Sequence, residues 1–581
     1  MKERHSLAFR DYLAAFQEPD EPFLFFYRVG KGGGVDRRGL TRGAFLSLAG
    51  KAAGVLRDAG QGKGCRILHC FGANDVHDLA FRLAGAMIGT VPVTVNWQDD
   101  PLDRLLYKCR QTEATMVVTG ASFDPALREG LQARLPDLPF FDADGLGERR
   151  GISAAEYEAD LGEEDTKIII FTSGTTGNPK GAQLAYRSYR NNRAAFEQML
   201  AIRPADRFAA VVVNPMHHTN STAITDWALR RPGSHVHLIE KYSTGYWEIL
   251  TGVAAEGYDR ILAPTVSRHF DFLEELAAAE RLLVPLDKLK EAMARIDFLI
   301  GSAPVGPTTV GRLQRYAGRI PTVRFGSTET CLQVLGIPRT LDDGARLEVF
   351  ERGWAHQVQG EPLSGYYIGR PHEPYTEVRI VRGVVRGGEG FMVDVPTGTP
   401  GYLITRGGNV MTGYVGNPEA TREVFEDGWY LGLKDICFAL ENPRDGRLDY
   451  FWVSRDSSLL IRGGANYAYD QISAQLADFV VRRYGLPRES FQIAVVGLRV
   501  ESEHEDSCCV TMELLGDEAR RLQPVLEESF LREAKRGVSK GARPDILRFA
   551  EIPRNFKGAL LVPQLKKDTI AYLTSLGRRL S

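Results

Sequence analysis

The stretch that most constrains this chain is Lys167-Ile-Ile-Ile-Phe171 running into Thr172-Ser-Gly-Thr-Thr-Gly-Asn-Pro-Lys180-Gly181. The apolar run is short and rich in β-branched residues, which predicts a buried strand that empties into a loop. In that loop Gly174 and Gly177 free the backbone to turn several N–H groups toward one point. The hydroxyls of Thr172, Ser173, Thr175 and Thr176 add neutral donors, and Lys180 adds one mobile positive charge. A concavity of that kind suits a polyphosphate. It is not the P-loop of GxxxxGK[ST] type, because a count from Gly174 requires glycine where Pro179 stands. On composition alone an ordinary Gly/Ser/Thr surface loop fits as well.

A chain of 581 residues is too long for one core, so two or more domains are expected. Thr41 to Gly60 reads as a helix: Phe45, Leu48, Ala49, Ala52, Val55, Leu56 and Ala59 recur at spacings of three and four, and Gly60 is a natural stop. Cys65–Leu68, Val91–Val95 and Thr115–Thr119 are strand-like, and Asn74 or Asp75 can cap a helix through Ala86. Strands alternating with helices imply a mainly parallel sheet with helical crossovers. The Thr172 loop closes this first module. A second α/β module is expected from about 185 to 330, with strands at Ala209–Val213, Val236–Ile239, Ile261–Ala263, Phe298–Ile300 and Val323–Phe325. Between Glu329 and Gly369 lies a connection longer than most, read here as a solvated excursion, with a wall or lid of a pocket as the alternative. The Val- and Gly-rich part that follows (Glu377–Val381, Gly401–Thr405) predicts a smaller β-rich subdomain. Beyond Val453–Ser458 the chain reads as a separate α+β domain, with strands at Phe491–Val496 and Cys508–Leu514 and an amphipathic helix over Asp517–Lys535.

A net charge of −2 with no long basic run argues against a nucleic-acid partner. No apolar run reaches the roughly 18 residues of a spanning helix, and Met1–Ser6 leads to no signal-peptide core. The seven cysteines form no CxxC pair and read as reduced thiols, so a cytoplasmic location is expected.

TSGTTGNPKG resembles the phosphate loop of the adenylate-forming superfamily, which comprises acyl-CoA synthetases, adenylation domains of peptide synthetases and luciferases. Further stretches in the same order extend the resemblance over most of the chain. Arg324-Phe-Gly-Ser-Thr-Glu329 is similar to the aromatic-Gly-x-Thr-Glu signature. It implies that Phe325 and Gly326 face adenine, with Ser327 between them and Thr328. Thr328 donates to the α-phosphate, and Glu329 offers a hard oxygen to the Mg²⁺ that travels with ATP. Gly301-Ser-Ala-Pro304 resembles the turn whose backbone, at Ser302, Ala303 and Pro304, meets adenine and borders the acyl pocket. Pro215-Met-His-His218 resembles the Pro-x-x-His segment, with His218 as the aligned site residue and His217 the weaker candidate.

Gly408–Tyr414 is a close family match of mainly structural role, and Gly401-Tyr402 stands where Gly-Glu is usual. Asp427–Asp435 is similar to the family's GW…TGD, one residue longer and without its Thr. It implies that Asp435 accepts the ribose hydroxyls, for which a carboxylate is the natural acceptor. Ser454-Arg455 resembles the hinge Gly-Arg, and Arg455 carries a fixed fork of donors for ribose and phosphate. Ser457 stands where relatives have Asp or Lys, which a hinge tolerates. Arg462–Tyr467 resembles the loop that admits the thiol, and Gly463, Gly464 and Ala465 give a pantetheine arm room to pass.

The last signature departs from the family. Relatives carry Pro-Lys-Thr-x-x-Gly-Lys, whereas this chain has Pro553-Arg-Asn-Phe-Lys-Gly-Ala559. Aligning Pro553 and Gly558 puts Ala559 where the family's catalytic lysine belongs, and the following basic residues are gone. The resemblance thus implies an α/β fold with a large N-terminal domain (1–454) of two α/β modules plus a β-rich subdomain. A hinge (455–458) and a small mobile α+β domain (459–581) follow. It also implies an acyl-CoA ligase homologue that takes an acyl-adenylate and CoA to acyl-CoA and AMP, with adenylation impaired and a separate adenylating enzyme as supplier. One alternative is a complete ATP- and Mg²⁺-dependent synthetase in which another cation, such as Lys557, substitutes. Others are a non-catalytic acyl-adenylate binder and transfer to a carrier protein.

Overall fold

The computed structural model describes residues 7–30, 34–98, 100–152, 159–172, 179–302, 304–455, 458–462, 465–498, 500, 506–554, 558 and 560–578. Ser173, Gly174, Thr175, Thr176, Gly177, Ala303, Ser457, Gly463, Gly464, Lys557 and Ala559, all singled out above, lie outside the described residues. The chain groups into two compact units: Met1–Glu348 with Ile368–Arg379 and Ile404–Leu433, and Val349–Tyr367 with Ile380–Leu403 and Lys434–Ser581.

The first unit is α/β. It opens with α1 (Leu7–Leu13), β1 (Pro22–Val29) and β2 (Val35–Thr41). Then come α2 (Arg42–Asp58), β3 (Arg66–Cys70), α3 (Val76–Ile88), β4 (Val91–Thr94), α4 (Leu102–Gln111), β5 (Met116–Thr119), α5 (Pro125–Arg134), β6 (Phe140–Asp142) and β7 (Thr166–Phe171). β8 (Gly181–Ala185), α6 (Tyr186–Leu200), β9 (Phe208–Val212), α7 (Thr219–Leu229), β10 (Ser234–Ile239), α8 (Tyr246–Ala254) and β11 (Arg260–Thr265) continue it. α9 (Ser267–Ala278), α10 (Leu286–Met293), β12 (Ile296–Ile300), α11 (Pro307–Ala317) and β13 (Thr322–Phe325) complete the alternation.

Both helices are capped at their N-termini. Thr41 caps α2 by accepting from the Ala44 N–H, and Asp75 caps α3 by accepting from His77. Gly60 takes the left-handed φ of 75° just past α2, a conformation open to glycine at no steric cost.

One sheet has the order β8, β7, β4, β3, β5, β6, with Gly413–Tyr414 added beyond β8. β7 and β8 are antiparallel, and the inner strands are parallel. The other runs β2, β1, β10, β9, β11, β12, β13, parallel from β1 onward. The N-terminal hairpin therefore joins the second module, with Leu24 opposite Val236. Its Phe23, Leu24 and Phe26 are buried, which favours an inner position, but the choice of partner is tertiary.

The charge that β7 carries inward is paired. Lys167 at the start of β7 meets Asp226 of α7 at 2.9 Å, and its ammonium lies 5.2–5.4 Å from the rings of Tyr12, Tyr186 and Tyr189. Asp226 also takes the Tyr12 hydroxyl and Arg230.

Two expectations are corrected. The connection after Glu329 is not a solvated excursion: Leu335–Gly336 forms a strand antiparallel to β13, and Val334, Leu335 and Ile337 are fully buried. Farther along, Phe350 packs edge-on against Tyr367 at 5.5 Å, so hydrophobic anchors recur through this stretch despite its Gly and Pro. The helix predicted over Asp517–Lys535 breaks at Leu522 into Asp517–Arg521 and Gln523–Gly537. Pro524 forces the break, since proline is tolerated in the first turn of a helix and not in its interior.

In the second unit, Asp435–Glu441 and Leu448–Arg455 form an antiparallel hairpin with Asp435 opposite Arg455. Phe491–Leu498, Ser507–Leu514 and Ile546–Phe549 form a sheet, packed with helices Tyr469–Tyr484, Gln523–Gly537 and Val562–Ser575 around Leu476, Val480, Val495, Met512, Phe530 and Leu565.

Buried histidines set the acid limit of the first unit. Burial, reinforced by Arg207, lowers His235 to about 4; burial lowers His372 to about 4 and His269 to about 3. In the unfolded chain each takes a proton below about 6.5, while the folded chain refuses it until far lower pH. The unfolded state then binds more protons, so stability falls as pH drops from about 6.5 toward 4. Urea midpoints measured at pH 7.5 and pH 5 should differ clearly in that direction, and equal midpoints would contradict the assignment.

Candidate functional site

Because β10, β9, β11, β12 and β13 are parallel, their carboxyl ends share one edge. In open α/β sheets, ligands bind in the crevice outside that edge. The chain leaves β9 through Asn214–His218, β11 through Thr265–Ser267, β12 through Gly301–Pro304 and β13 through Phe325–Glu329. Each family-like stretch of the second module thus sits at the end of a strand in this row. The β11 exit was missed in the sequence, where it carries no motif. Its Thr265 and Ser267 hydroxyls are buried and have no partner among the described residues. The signal available was positional, since neighbouring strands in the row end in family-like turns.

Asn74 stitches this edge to the other sheet. Its amide donates to Ile239 O at 2.9 Å and Asn214 O at 3.2 Å, and its Oδ1 accepts from the Met216 N–H at 2.8 Å. It is an inter-sheet clasp at the end of β3, and α3 is capped by its neighbour.

The turn after β13 is tightly wound. A Cβ on Gly326 would lie 1.8 Å from Leu332 O, so glycine is dictated here by a backbone crossing. Arg324 is buried, donates to Asn220 at 2.7 Å and lies 5.0 Å from the Phe196 ring; burial lowers its guanidinium to about 9. Phe325 is half-buried, and Ser327 accepts at its carbonyl from the Thr330 and Leu332 N–H groups. Thr328 lies between them, its carbonyl accepting from Cys331. In the turn after β12, Ser302 takes a left-handed φ of 68°, uncommon for a residue with a side chain.

The root of the Thr172 loop is closed by its own backbone. Thr172 N–H donates to Lys180 O at 2.9 Å, and Phe171 pairs with Gly181. Lys180 then lies 5.2 Å over the Tyr414 ring. The Tyr414 hydroxyl donates to Glu329 Oε1 at 3.0 Å, and Met411 N–H donates to Glu329 O at 2.7 Å. Burial and the adjacent carboxylate push the Tyr414 hydroxyl up, so it stays protonated as a donor. Asn409 donates to Thr330 O and Gln333 O, and Arg187 to Gly408 O and Val410 O. The Gly408–Tyr414 stretch is thus the clamp that brings Lys180 and Glu329 together. Tyr414, read from sequence as structural, sits between them.

His218 precedes α7, with its N–H bonded to Pro215 O, and its ring lies 4.2 Å from that of His217. His217 is buried against the edge of Trp97 at 5.7 Å.

In the second unit, the buried Asp435 carboxylate accepts from Trp452 Nε1 at 2.8 Å and from Arg455 Nε at 3.3 Å. The Arg455 side chain is mostly exposed. At the last signature, Gly558 takes φ 77° and its carbonyl accepts from Arg554 at 3.0 Å. Ala465 forms part of the strand Ala465–Ala468.

Gly326 and Gly311 give a matched test. In the interior of α11, a Cβ on Gly311 meets nothing within 4 Å, so Gly311→Ala should stabilise by roughly 0.4–1 kcal/mol. Gly326→Ala must displace backbone and should destabilise by about 1–3 kcal/mol or more. Denaturant midpoints read both, and a neutral Gly326→Ala would contradict the crossing.

Residues 13–415 match the AMP-binding enzyme family. Sulfoacetate–CoA ligase of Cupriavidus necator is 26% identical over 94% of this chain and 94% of that protein. A medium/long-chain-fatty-acid–[acyl-carrier-protein] ligase, FadD10 of Mycobacterium tuberculosis, is 27% identical over 89% of this chain and 88% of its own. ATP-bound MatB from Rhodopseudomonas palustris superposes with a TM-score of 0.71 at 21% identity, covering 97% of this chain and 98% of that one. Bacillus subtilis o-succinylbenzoate CoA synthetase with its acyl-adenylate intermediate superposes equally, at 0.71 and 18% identity over 97% and 98%. These likenesses establish the mixed α/β fold. Among the described residues no helix is long and apolar enough to cross a membrane.

Proposed function

The chain belongs to the AMP-binding enzyme family and is a ligase of the acyl-CoA synthetase type, and we propose that it is specialised for the thioester half of that chemistry. In the complete reaction a carboxylate oxygen attacks the α-phosphorus of ATP, giving acyl-AMP and pyrophosphate. A thiol then attacks the acyl carbon; the C–S bond forms, the C–O bond to phosphate breaks, and AMP and a proton leave.

The observation that carries the proposal is Ala559, aligned with the lysine that in the family bridges carboxylate and α-phosphate. Negative charge develops at phosphorus in the first step, and loss of one preorganised donor there costs roughly 10²–10³ in rate. The second step has a good leaving group and a thiol of pKa near 8.5, and needs no such cation. The substrate would be an acyl-adenylate supplied by another enzyme.

Site roles follow the motif order. Phe325 and the Ser302–Pro304 backbone hold adenine, Asp435 and Arg455 the ribose, and Lys180, Thr328 and the Thr172–Gly177 loop the phosphate. His218 borders the acyl end. Where ATP is used, Glu329 would hold Mg²⁺, which would supply charge neutralisation at the phosphates. By the same resemblance 455–458 would be the hinge, 459–581 the mobile domain, and Gly463 and Gly464 the residues that give the thiol room. Gly464→Leu is expected to block CoA use while leaving acyl-AMP binding nearly unchanged; equal loss of both would assign the loop to structure.

A complete synthetase is the second reading, favoured by the intact Lys180–Tyr414–Glu329 arrangement. Two assays separate them: ATP with free acid and CoA, and synthetic acyl-AMP with CoA, the second run also with an acyl-carrier protein because FadD10 is named for one. Thioester should form from acyl-AMP and little from ATP and acid, with pyrophosphate exchange near background. Ala559→Lys should restore part of the adenylation, and Lys557→Ala should leave thioester formation unchanged. Robust turnover of free acid by the unmodified chain would overturn the proposal, and acyl-AMP binding without turnover would make the protein a binder.

A further inference from the structure

We propose that a hollow at the carboxyl edge of the β8–β6 sheet recognises a second anionic group, a carboxylate or sulfonate, on the far end of the acyl substrate. The inference rests on the ligase reading and names its substrate class. The hollow is lined by His69, Asp78, Arg82, Thr94, Trp97 and His217, among others. It lies where β3 and β4 end, opposite the β9–α7 connection. β4 is the neighbour of β7, which feeds the Thr172 loop, and His217 adjoins His218. The hollow is therefore beside the acyl end of the proposed site.

Two donors of its lining residues are without partners among the described residues. Arg82 is 8% exposed. Its Nε donates to Asp78 Oδ1 at 2.9 Å, and its Nη2 to Asp78 Oδ2 and Met216 O, both at 2.8 Å. Nη1 has no partner among the described residues, and neither does the indole Nε1 of Trp97. Asp78 binds the Nε and Nη2 groups of that guanidinium, and its Oδ1 also meets His69 Nδ1 at 2.8 Å. Asp78 is held ionised, since Arg82 and His69 lower its carboxyl to about 2 despite burial, and burial keeps His69 neutral.

A buried guanidinium N–H without an acceptor is costly. Two such donors at one hollow call for a group rich in lone pairs. An alkyl terminus leaves both unpaired, and sites built to bond a polar group reject analogues that lack it. An oxyanion satisfies both, with charge-assisted bonds to the guanidinium. The free space takes about one water molecule, so a trapped water is the competing occupant, and a terminal oxyanion would seat one oxygen in the hollow with the rest of the group at its mouth. A second source of the same chemistry is the nucleotide's pyrophosphate.

The test uses succinyl and glutaryl sulfamoyladenosines, each beside its monomethyl ester, with AMP and pyrophosphate as separate ligands. Binding to the full-length protein is measured by calorimetry, and thioester formation from the corresponding adenylates is measured with CoA. At least one free acid should bind roughly 10-fold to 100-fold tighter than its ester. Arg82→Lys, which keeps the charge facing Asp78, and Trp97→Phe, which removes only a donor, should each erase most of that preference and leave AMP affinity unchanged. Equal affinity of both acids and their esters for the wild type would assign the hollow to trapped water and overturn the proposal. A preference that survives both substitutions would also overturn it. Loss confined to pyrophosphate would overturn it in favour of the phosphate tail. Absence of thioester with every adenylate, alongside an intact binding preference, would sink the ligase reading and leave the anion site standing.

Discussion

The strand that aims the Thr172 loop is anchored at its other end by a buried charge. Lys167 sits among three tyrosine rings and meets Asp226, which also takes Tyr12 and Arg230. This joins α1, β7, α6 and α7 through one carboxylate. Burying two charges gains little net stability over an apolar substitute, but removing one partner costs several kcal/mol, about 3–5, because the other is left stranded. Such a cluster acts as a register device: β7 cannot slide by one residue without unpairing Lys167. With β7 fixed, Thr172 and Lys180 meet at a fixed place, and Lys180 lies over Tyr414.

Parallel pairing does the rest. Once β9, β11, β12 and β13 lie side by side, the segments that leave them gather at one edge without any loop reaching far. The Asn74 amide then joins that edge to the end of β3. Distant parts of the sequence are neighbours through topology, and the side chains need only local turn geometry, such as the backbone crossing at Gly326, to present themselves.

What was legible in the sequence follows from this. Helix α2 and the strands at 166–171, 208–212 and 260–265 were readable, since hydrophobic period and caps are local properties. The family was readable through its motifs, and the structure sets the motif stretches of the second module at strand ends. Pairing partners were not: the hairpin Pro22–Thr41 carries strand chemistry but nothing that names β10 as its neighbour. The stretch after Glu329 looked solvated because its buried residues, among them Val334, Leu335, Ile337 and Phe350, are spread among Gly, Pro and charged residues, yet Leu335–Gly336 completes a strand beside β13. Tyr414 and Arg82 were hidden for one reason. A hydroxyl on Glu329 and a guanidinium with a spare N–H acquire meaning only when residues far apart in the chain meet.

The same geometry bears on why Lys180 and Glu329 persist in a chain with Ala559. If adenylation were the only use of these residues, their retention would argue for a complete synthetase. But Glu329 accepts the Tyr414 hydroxyl and the Met411 N–H, and Lys180 rests on the Tyr414 ring. Both therefore belong to the clamp that fixes Gly408–Tyr414 against β13. Losing Glu329 would leave a buried Tyr414 hydroxyl without its carboxylate acceptor, a cost levied on folding whether or not ATP is bound. Under the proposed half-reaction an acyl-adenylate would also still present an α-phosphate to the Thr172 loop. Retention of the phosphate machinery is thus expected under both readings, whereas a lysine whose only task is the first step is free to be lost, and position 559 is where the two readings part.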